Sequence, residues 1–222
     1  MKILFSFPTR SRPLQFKESF ASLIGNIEDW GDIEILIKLD VDDKSLHGYI
    51  EQVKDYLAYP VRYTIERSLG KIYAQNRNLT ENKWDIIFNW SDDLFVHYKG
   101  FEGEVRKVFK ENGLDILVGF WDGHRDDDLP TIAVMGREFF DRFGYFTYPG
   151  YESVVGDNEM RDVAKLLSRY KFIKQPHMFM HQHPNYTGGH RDELLLYTES
   201  PAMYKKDGDL YKARKLINFG LI

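Results

Sequence analysis

Short apolar runs alternate along this chain with stretches in which apolar residues return every three or four positions. The runs fall at Lys2 to Phe7, Ile33 to Leu39, Val61 to Ile65, the first half of Asp85 to Val96, Asp115 to Phe120, Thr131 to Met135 and Tyr170 to Ile173. Near-continuous apolar runs of this length are what strands buried on both faces of a mainly parallel sheet require. Between them, Leu14, Phe20, Leu23, Ile24 and Ile27 recur at helical spacing, as do Leu46, Ile50, Val53 and Leu57, then Phe101, Val105, Val108 and Phe109, then Met160, Val163, Ala164 and Leu167. Each set gives a helix one side to bury. Pro13 suits the first turn of the first helix, and Asn112-Gly113 closes the third as a C-cap. Strand and helix in alternation predict an α/β fold, layered around a mainly parallel sheet.

Several runs end in polar clusters, and in open α/β sheets ligands gather beyond the carboxyl ends of the strands. The first run leads into Pro8-Thr9-Arg10-Ser11-Arg12-Pro13, whose arginines read either as solvated charge or as facing a phosphate. The second ends in Asp40-Val41-Asp42-Asp43; Asp42 or Asp43 can cap the following helix, whereas Asp40 lies too early and is the better ligand contact. The central run ends in Asp92-Asp93, a turn or cap on the plain reading and a holder of a diphosphate and its cation on the other. A polar helix over Ile72 to Glu81, with Gln75, Asn76, Arg77 and Asn78, either faces a ligand or is solvated. Tyr145 to Gly156 reads as irregular and mobile, and Asp157 after it as a helix N-cap. Extended geometry from Gln175 to Pro184 places His177, Phe179, His181 and His183 on one face, as metal ligands or as a surface strand. Residues 185–201 read as loop, and Leu210 to Ile217 as a docking helix.

Composition narrows the classes. At 222 residues, with no repeat, linker or low-complexity segment, the expectation is one domain over 1–222, of which 185–222 is a C-terminal loop and docking helix. Zero cysteines exclude disulfides and thiolate metal sites, leaving carboxylate, imidazole, backbone or substrate oxygens for any metal, and fit a cytoplasmic protein. A net charge of −4, a pI near 6.0 and no dense Lys/Arg run argue against nucleic acid. The opening Met1 to Pro8 is too short an apolar run for a signal peptide, and no window reaches membrane-spanning length. Aromatic residues at 15% suggest rings in a cleft as well as in the core.

The order of these pieces is similar to that of the family 2 glycosyltransferases of GT-A fold, within the nucleotide-diphospho-sugar transferase superfamily, over residues 1 to about 184. Four pieces carry the resemblance. Ile3 to Arg10 looks like the family's first strand and nucleotide-binding turn, and Ile35 to Asp40 like its second strand with a base-contacting aspartate. Phe88-Asn89-Trp90-Ser91-Asp92-Asp93 looks like the metal-binding strand end usually written DxD, with Trp90 where the first Asp would stand. Gly156-Asp157-Asn158-Glu159-Met160 resembles the stretch that carries the catalytic base, with Gly156 where a Glu usually precedes it.

The resemblance implies a GT-A, Rossmann-like three-layer sandwich and inverting transfer from a nucleoside-diphosphate sugar to an acceptor hydroxyl. Pro8, Thr9, Arg10 and Asp40 would meet the nucleotide, with Lys71 and Arg77 near the ribose or phosphate. Asp92 and Asp93 would hold Mn²⁺ or Mg²⁺ against the diphosphate, with His181 or His183 completing the metal shell, and Asp157 would take the acceptor's proton. Two other classes stay open. A sugar nucleotidyltransferase should show a Gly-rich loop after the first strand, which Pro8-Thr9-Arg10 lacks; a non-catalytic nucleotide- or carbohydrate-binding module would tolerate Trp90.

Overall fold

In the computed structural model, which describes residues 1–189 and 191–221, the apolar runs meet in one twisted sheet. The chain runs β1 (Ile3–Pro8), α1 (Pro13–Asn26), β2 (Ile33–Asp40), α2 (Leu46–Lys54), β3 (Val61–Glu66), α3 (Lys71–Asn76), β4 (Ile86–Asn89), β5 (Leu94–Val96), α4 (Phe101–Asn112), β6 (Leu117–Phe120), β7 (Ile132–Gly136) and α5 (Arg137–Asp141). It continues through α6 (Gly156–Leu166), β8 (Tyr170–Ile173), β9 (Phe179–His181), α7 (Pro184–Thr187), α8 (Glu193–Thr198) and α9 (Pro201–Leu216). Among the described residues the main sheet has seven strands in the order β3-β2-β1-β4-β7-β6-β8, and β7 alone runs against the rest. The sheet grows from β1 toward β2 on one side and toward β4 on the other. That reversal opens a crevice beyond the ends of β1 and β4, between the loops carrying Thr9 and Asp92.

Strand side chains alternate between faces, so each face builds its own core. Ile3, Phe5 and Phe7 pack with Phe16, Phe20 and Leu23 of α1, Tyr49 and Val53 of α2, and Phe101, Val105 and Phe109 of α4. On the other face, Leu4, Ile87, Leu117 and Met135 pack with Phe139 and Phe140 of α5 and Val163 and Ala164 of α6. The result is three layers. Each fully buried side chain of this size contributes roughly 1.5–3 kcal/mol. Trp90 belongs to the first core: it is fully buried, meets Phe5 edge-on with centroids 5.8 Å apart, and donates its indole N–H to Ser19 Oγ at 2.9 Å. Its indole thus forms part of the floor beneath the strand end.

The structure departs from the sequence pattern in places that have local causes. Leu14 is 72% exposed and Phe16 takes its place inside, because Phe16, Phe20 and Leu23 share a face that Leu14, two residues earlier, opposes. Neither Asp42 nor Asp43 caps α2. Ser45 holds the cap position, while Asp43 accepts the N–H of Ser45 at 2.8 Å and of Ser11 at 2.6 Å, tying two loops together. Leu57 lies beyond the end of α2 and is half exposed. Helix α3 stops at Asn76, since Arg77 turns to extended geometry to send its guanidinium toward Asp40 and the Leu39 carbonyl. A second, two-stranded sheet pairs β5 with β9, and the three-residue strand β9 does not carry the four-residue face expected of 177–183: His177 sits in a turn with φ +65° and His183 caps α7. Residues read as loop form α8 and the start of α9, where Ser200 caps Met203.

Candidate functional site

The loops after β1, β2 and β4, the segment before α6 and the helices α7 to α9 surround one cleft of about 1070 Å³. Pro8, Thr9, Arg10, Asp40, Lys71, Asp92, Asp93, Asp157, His181 and His183 all line it. Arg77 does not appear in its lining. It is buried with its Nη1 3.0 Å from Asp40 Oδ1 and its Nη2 on the Leu39 carbonyl, so it braces Asp40 from behind.

At the β2 end of the cleft both Asp40 oxygens already accept. Arg77 holds Oδ1, and Arg10 Nη1 reaches Oδ2 at 3.0 Å while also gripping Asp42 through two nitrogens. Below Asp40, Lys38 is fully buried and donates to the carbonyls of Ala74 and Gln75, tethering the last turn of α3 to the sheet. Burial, then the nearby Arg77, depresses its pKa far below the usual lysine value. Lys71, the first residue of α3, has no ion-pair partner among the described residues, and its charge is felt at Asp157, His181 and Glu199.

The β4 end carries the acidic pair. Asp92 is buried, accepting from the Thr9 hydroxyl at 3.0 Å and from Arg12 Nη1 at 3.2 Å. Burial and the adjacent Asp93 push its pKa up. Asp93 goes the other way: burial raises it, but the charge and hydrogen bond of His181 and the hydroxyl of Ser91 outweigh this and hold it below the usual carboxylate range. His181 Nε2 lies 3.2 Å from Asp93, and its Nδ1 is buried without a hydrogen-bond partner. His183 is committed elsewhere, with Nε2 3.0 Å from Glu199 and Nδ1 accepting the Asn185 N–H.

Arg12 is the residue that the sequence pattern undervalued. Besides Asp92 it binds Asp192 through two nitrogens, at 2.6 and 3.0 Å, and Asp192 caps α8. One guanidinium therefore joins the first loop, the acidic strand end and the C-terminal helices. These partners lie 80 and 180 residues away in the chain, a separation no local period encodes.

Asp157 is the second residue of α6, not its cap. Val155 occupies the cap position with φ +56°, an uncommon conformation for a β-branched residue, and its own side chain makes no cap hydrogen bond. The Asp157 carboxylate accepts from the adjacent Asn158 N–H, and burial raises its pKa against that hydrogen bond and the opposing pull of Lys71 and Arg125. The irregular segment before it is pinned throughout. Asn76 accepts from the Phe146 and Thr147 N–H groups and donates to the Thr147 carbonyl, so this polar face of α3 serves the loop. Asp207 of α9, fully buried, accepts from the consecutive N–H groups of Glu152, Ser153 and Val154. Gly156 has no room to be anything else, since a Cβ there would lie 2.5 Å from the Thr147 methyl.

No family model and no curated protein matches this chain. Among solved structures it is similar to the mannosyltransferase PcManGT from Pyrobaculum calidifontis in complex with GDP-Man and Mn²⁺, with TM-score 0.70 and 12% identity over 97% of this chain and 75% of that one. It is also similar to S. aureus TarS 1–349 in complex with UDP-GlcNAc, with TM-score 0.67 and 11% identity over 87% of this chain and 60% of that one. The chain thus spans well under two thirds of that TarS fragment. At these identities the likeness establishes architecture: the chain has the GT-A fold of nucleotide-diphospho-sugar transferases, with its mainly parallel seven-stranded sheet.

Proposed function

We propose that this chain is an inverting glycosyltransferase, moving a sugar from a nucleoside-diphosphate sugar to an acceptor hydroxyl. The observation that carries the reading is a single cleft, at the carboxyl ends of β1, β2 and β4, that holds both the Asp92–Asp93 pair and a sparsely bonded Asp157. In the step proposed, the acceptor oxygen bonds to the anomeric carbon as the bond to the diphosphate breaks, the hydroxyl proton passes to Asp157, and nucleoside diphosphate leaves. Lys71 offers the leaving group an unpaired cation.

A divalent ion fits the donor set. Asp93 would supply an ionised oxygen and His181 its Nε2, which lies 3.2 Å from that carboxylate. No group of three such side chains converges among the described residues, so the ion would take its other ligands from the diphosphate and water, as Mg²⁺-type ions do. When bound it would neutralise charge developing on the diphosphate. His183 is outside this proposal because both its ring nitrogens are engaged.

A panel of nucleotide sugars, incubated with and without Mn²⁺, tests the reading. Expected is Mn²⁺-dependent release of nucleoside diphosphate from one donor, lost in Asp93→Ala. Binding without turnover would identify a binding module instead, and pyrophosphate release from a nucleoside triphosphate a nucleotidyltransferase. The pH profile gives a second prediction. A general base acts only when deprotonated, so turnover should be full above the raised pKa of Asp157 and fall as pH drops through it. The acid limb of kcat is therefore expected above the ~3.9 of an ordinary aspartate. A limb at or below that value rules Asp157 out as the titrating group.

A further inference from the structure

We infer that the cleft wall built by α7, α8 and α9 binds a neutral saccharide, with Tyr186, Tyr197 and Tyr204 as its stacking faces. As an acceptor subsite this rests on the transfer reading above.

These rings line the cleft that holds Asp157. Tyr197 is 68% and Tyr204 46% exposed, so neither is committed to the core. Burial and the carboxylate of Glu199 push up the Tyr204 phenol against the pull of Arg191, and Tyr204 shares the cleft lining with Asp157 and Tyr186. Tyr186 is pre-set, lying against His124 with centroids 5.1 Å apart at 17° and receiving a hydrogen bond from Arg125. A tyrosine offers a rigid apolar face with a polar tip and loses little freedom on contact. Such a face suits the C–H surface of a pyranose ring, and the tips and nearby carboxylates suit its hydroxyls.

Charge decides between a neutral and an anionic occupant. Among the described residues, Arg125 holds Asp127 at 2.7 Å, Arg191 holds Glu199 at 3.2 Å, and Lys206 holds Glu152. Glu193, exposed on the same wall, adds negative charge. Lys71 remains, at the start of α3, and its charge already falls on the carboxylates of Asp157 and Glu199. An anionic acceptor would meet these carboxylates, with Lys71 the one Lys or Arg of the cleft lining, among the described residues, that holds no ion pair.

The test titrates the whole chain, preloaded with nucleoside diphosphate and Mn²⁺, with mannotriose, chitotriose and cellotriose and with the same trisaccharides carrying sulfate, following tyrosine fluorescence and ligand NMR. Expected is saturable binding of a neutral trisaccharide, absent for its sulfated form, and weaker by about 2- to 12-fold for each ring removed in Tyr197→Ala and Tyr204→Ala. Both positions are exposed, and thermal melting confirms that the variants fold. Binding of sulfated forms only, undiminished binding in the double variant, or no neutral binding by a chain that does bind donor each overturns the inference. Saccharide binding by a chain that neither binds nor turns over any nucleotide sugar would sink the transfer reading and leave this wall as a saccharide site.

Discussion

Asp157→Asn should lower kcat by about 10² or more while donor affinity and melting temperature stay near wild type, because an amide cannot accept the acceptor's proton. The stability part follows from position. Asp157 is the second residue of α6, and Asn keeps an amide oxygen for the Asn158 N–H, so the mutation forfeits a charge near the helix N-terminus, worth about 0.3–1 kcal/mol. Removing a charge held against burial offsets part of that. The other acidic residues nearby are already employed: Glu159 is buried against Arg214 and Tyr151, and Asp122 accepts from the His124 and Arg125 N–H groups and the Thr131 hydroxyl. Rigid presentation adds to the case. Val155 at positive φ costs on the order of 1–3 kcal/mol, and Asp207, with the Asn76 bridge, over-determines the segment enough to keep it there. The assay is release of nucleoside diphosphate from the donor that the wild type turns over, beside thermal melting and donor titration. Full turnover by a normally folded Asp157→Asn protein would remove it from the mechanism.

The main sheet was legible because its signal is local. A strand buried on both faces must be largely apolar, so Ile33–Asp40 and Ile86–Asn89 announce themselves, and the carboxylates at their ends follow. Order and spacing did the rest, and the GT-A expectation agrees with the solved structures. What the pattern lost were features whose cause lies elsewhere in the chain. Helix α9 shows no apolar stripe because its anchor is Asp207, a carboxylate filling a row of N–H groups more than fifty residues away. Strands β5 and β9 are too short for periodicity and exist because they pair with each other. Pro149, Gly150 and Gly156 make Tyr145 to Gly156 read as irregular and mobile, yet Gly156 marks close packing on Thr147. At the site itself, the residue types flanking each strand end were readable, but their mutual partners were not: Arg12 with Asp192, His181 with Asp93, Arg77 with Asp40.

That last pair separates what Asp40 does for the fold from what it does for a ligand. In Asp40→Ala, Arg77 is left buried without its Asp40 contact, with its Nε already lacking a partner among the described residues and its Nη2 still on the Leu39 carbonyl. Breaking a buried ion pair from one side costs about 3–5 kcal/mol. For a chain of this size, each kcal/mol moves Tm by about 2–4 °C, so the loss should be on the order of 10 °C. Arg10 adds little to that figure, since it is partly exposed and keeps its two-nitrogen grip on Asp42. Asp40→Asn retains an acceptor oxygen for Arg77 and should melt between the two. Weakened nucleotide binding in Asp40→Ala alone therefore reports the collapse of this brace; weakening in Asp40→Asn, measured below the melting transition, reports contact with the nucleoside. An Asp40→Ala protein melting within about 2 °C of wild type would show that Arg77 finds another partner, and the bracing role of Asp40 would fall with it.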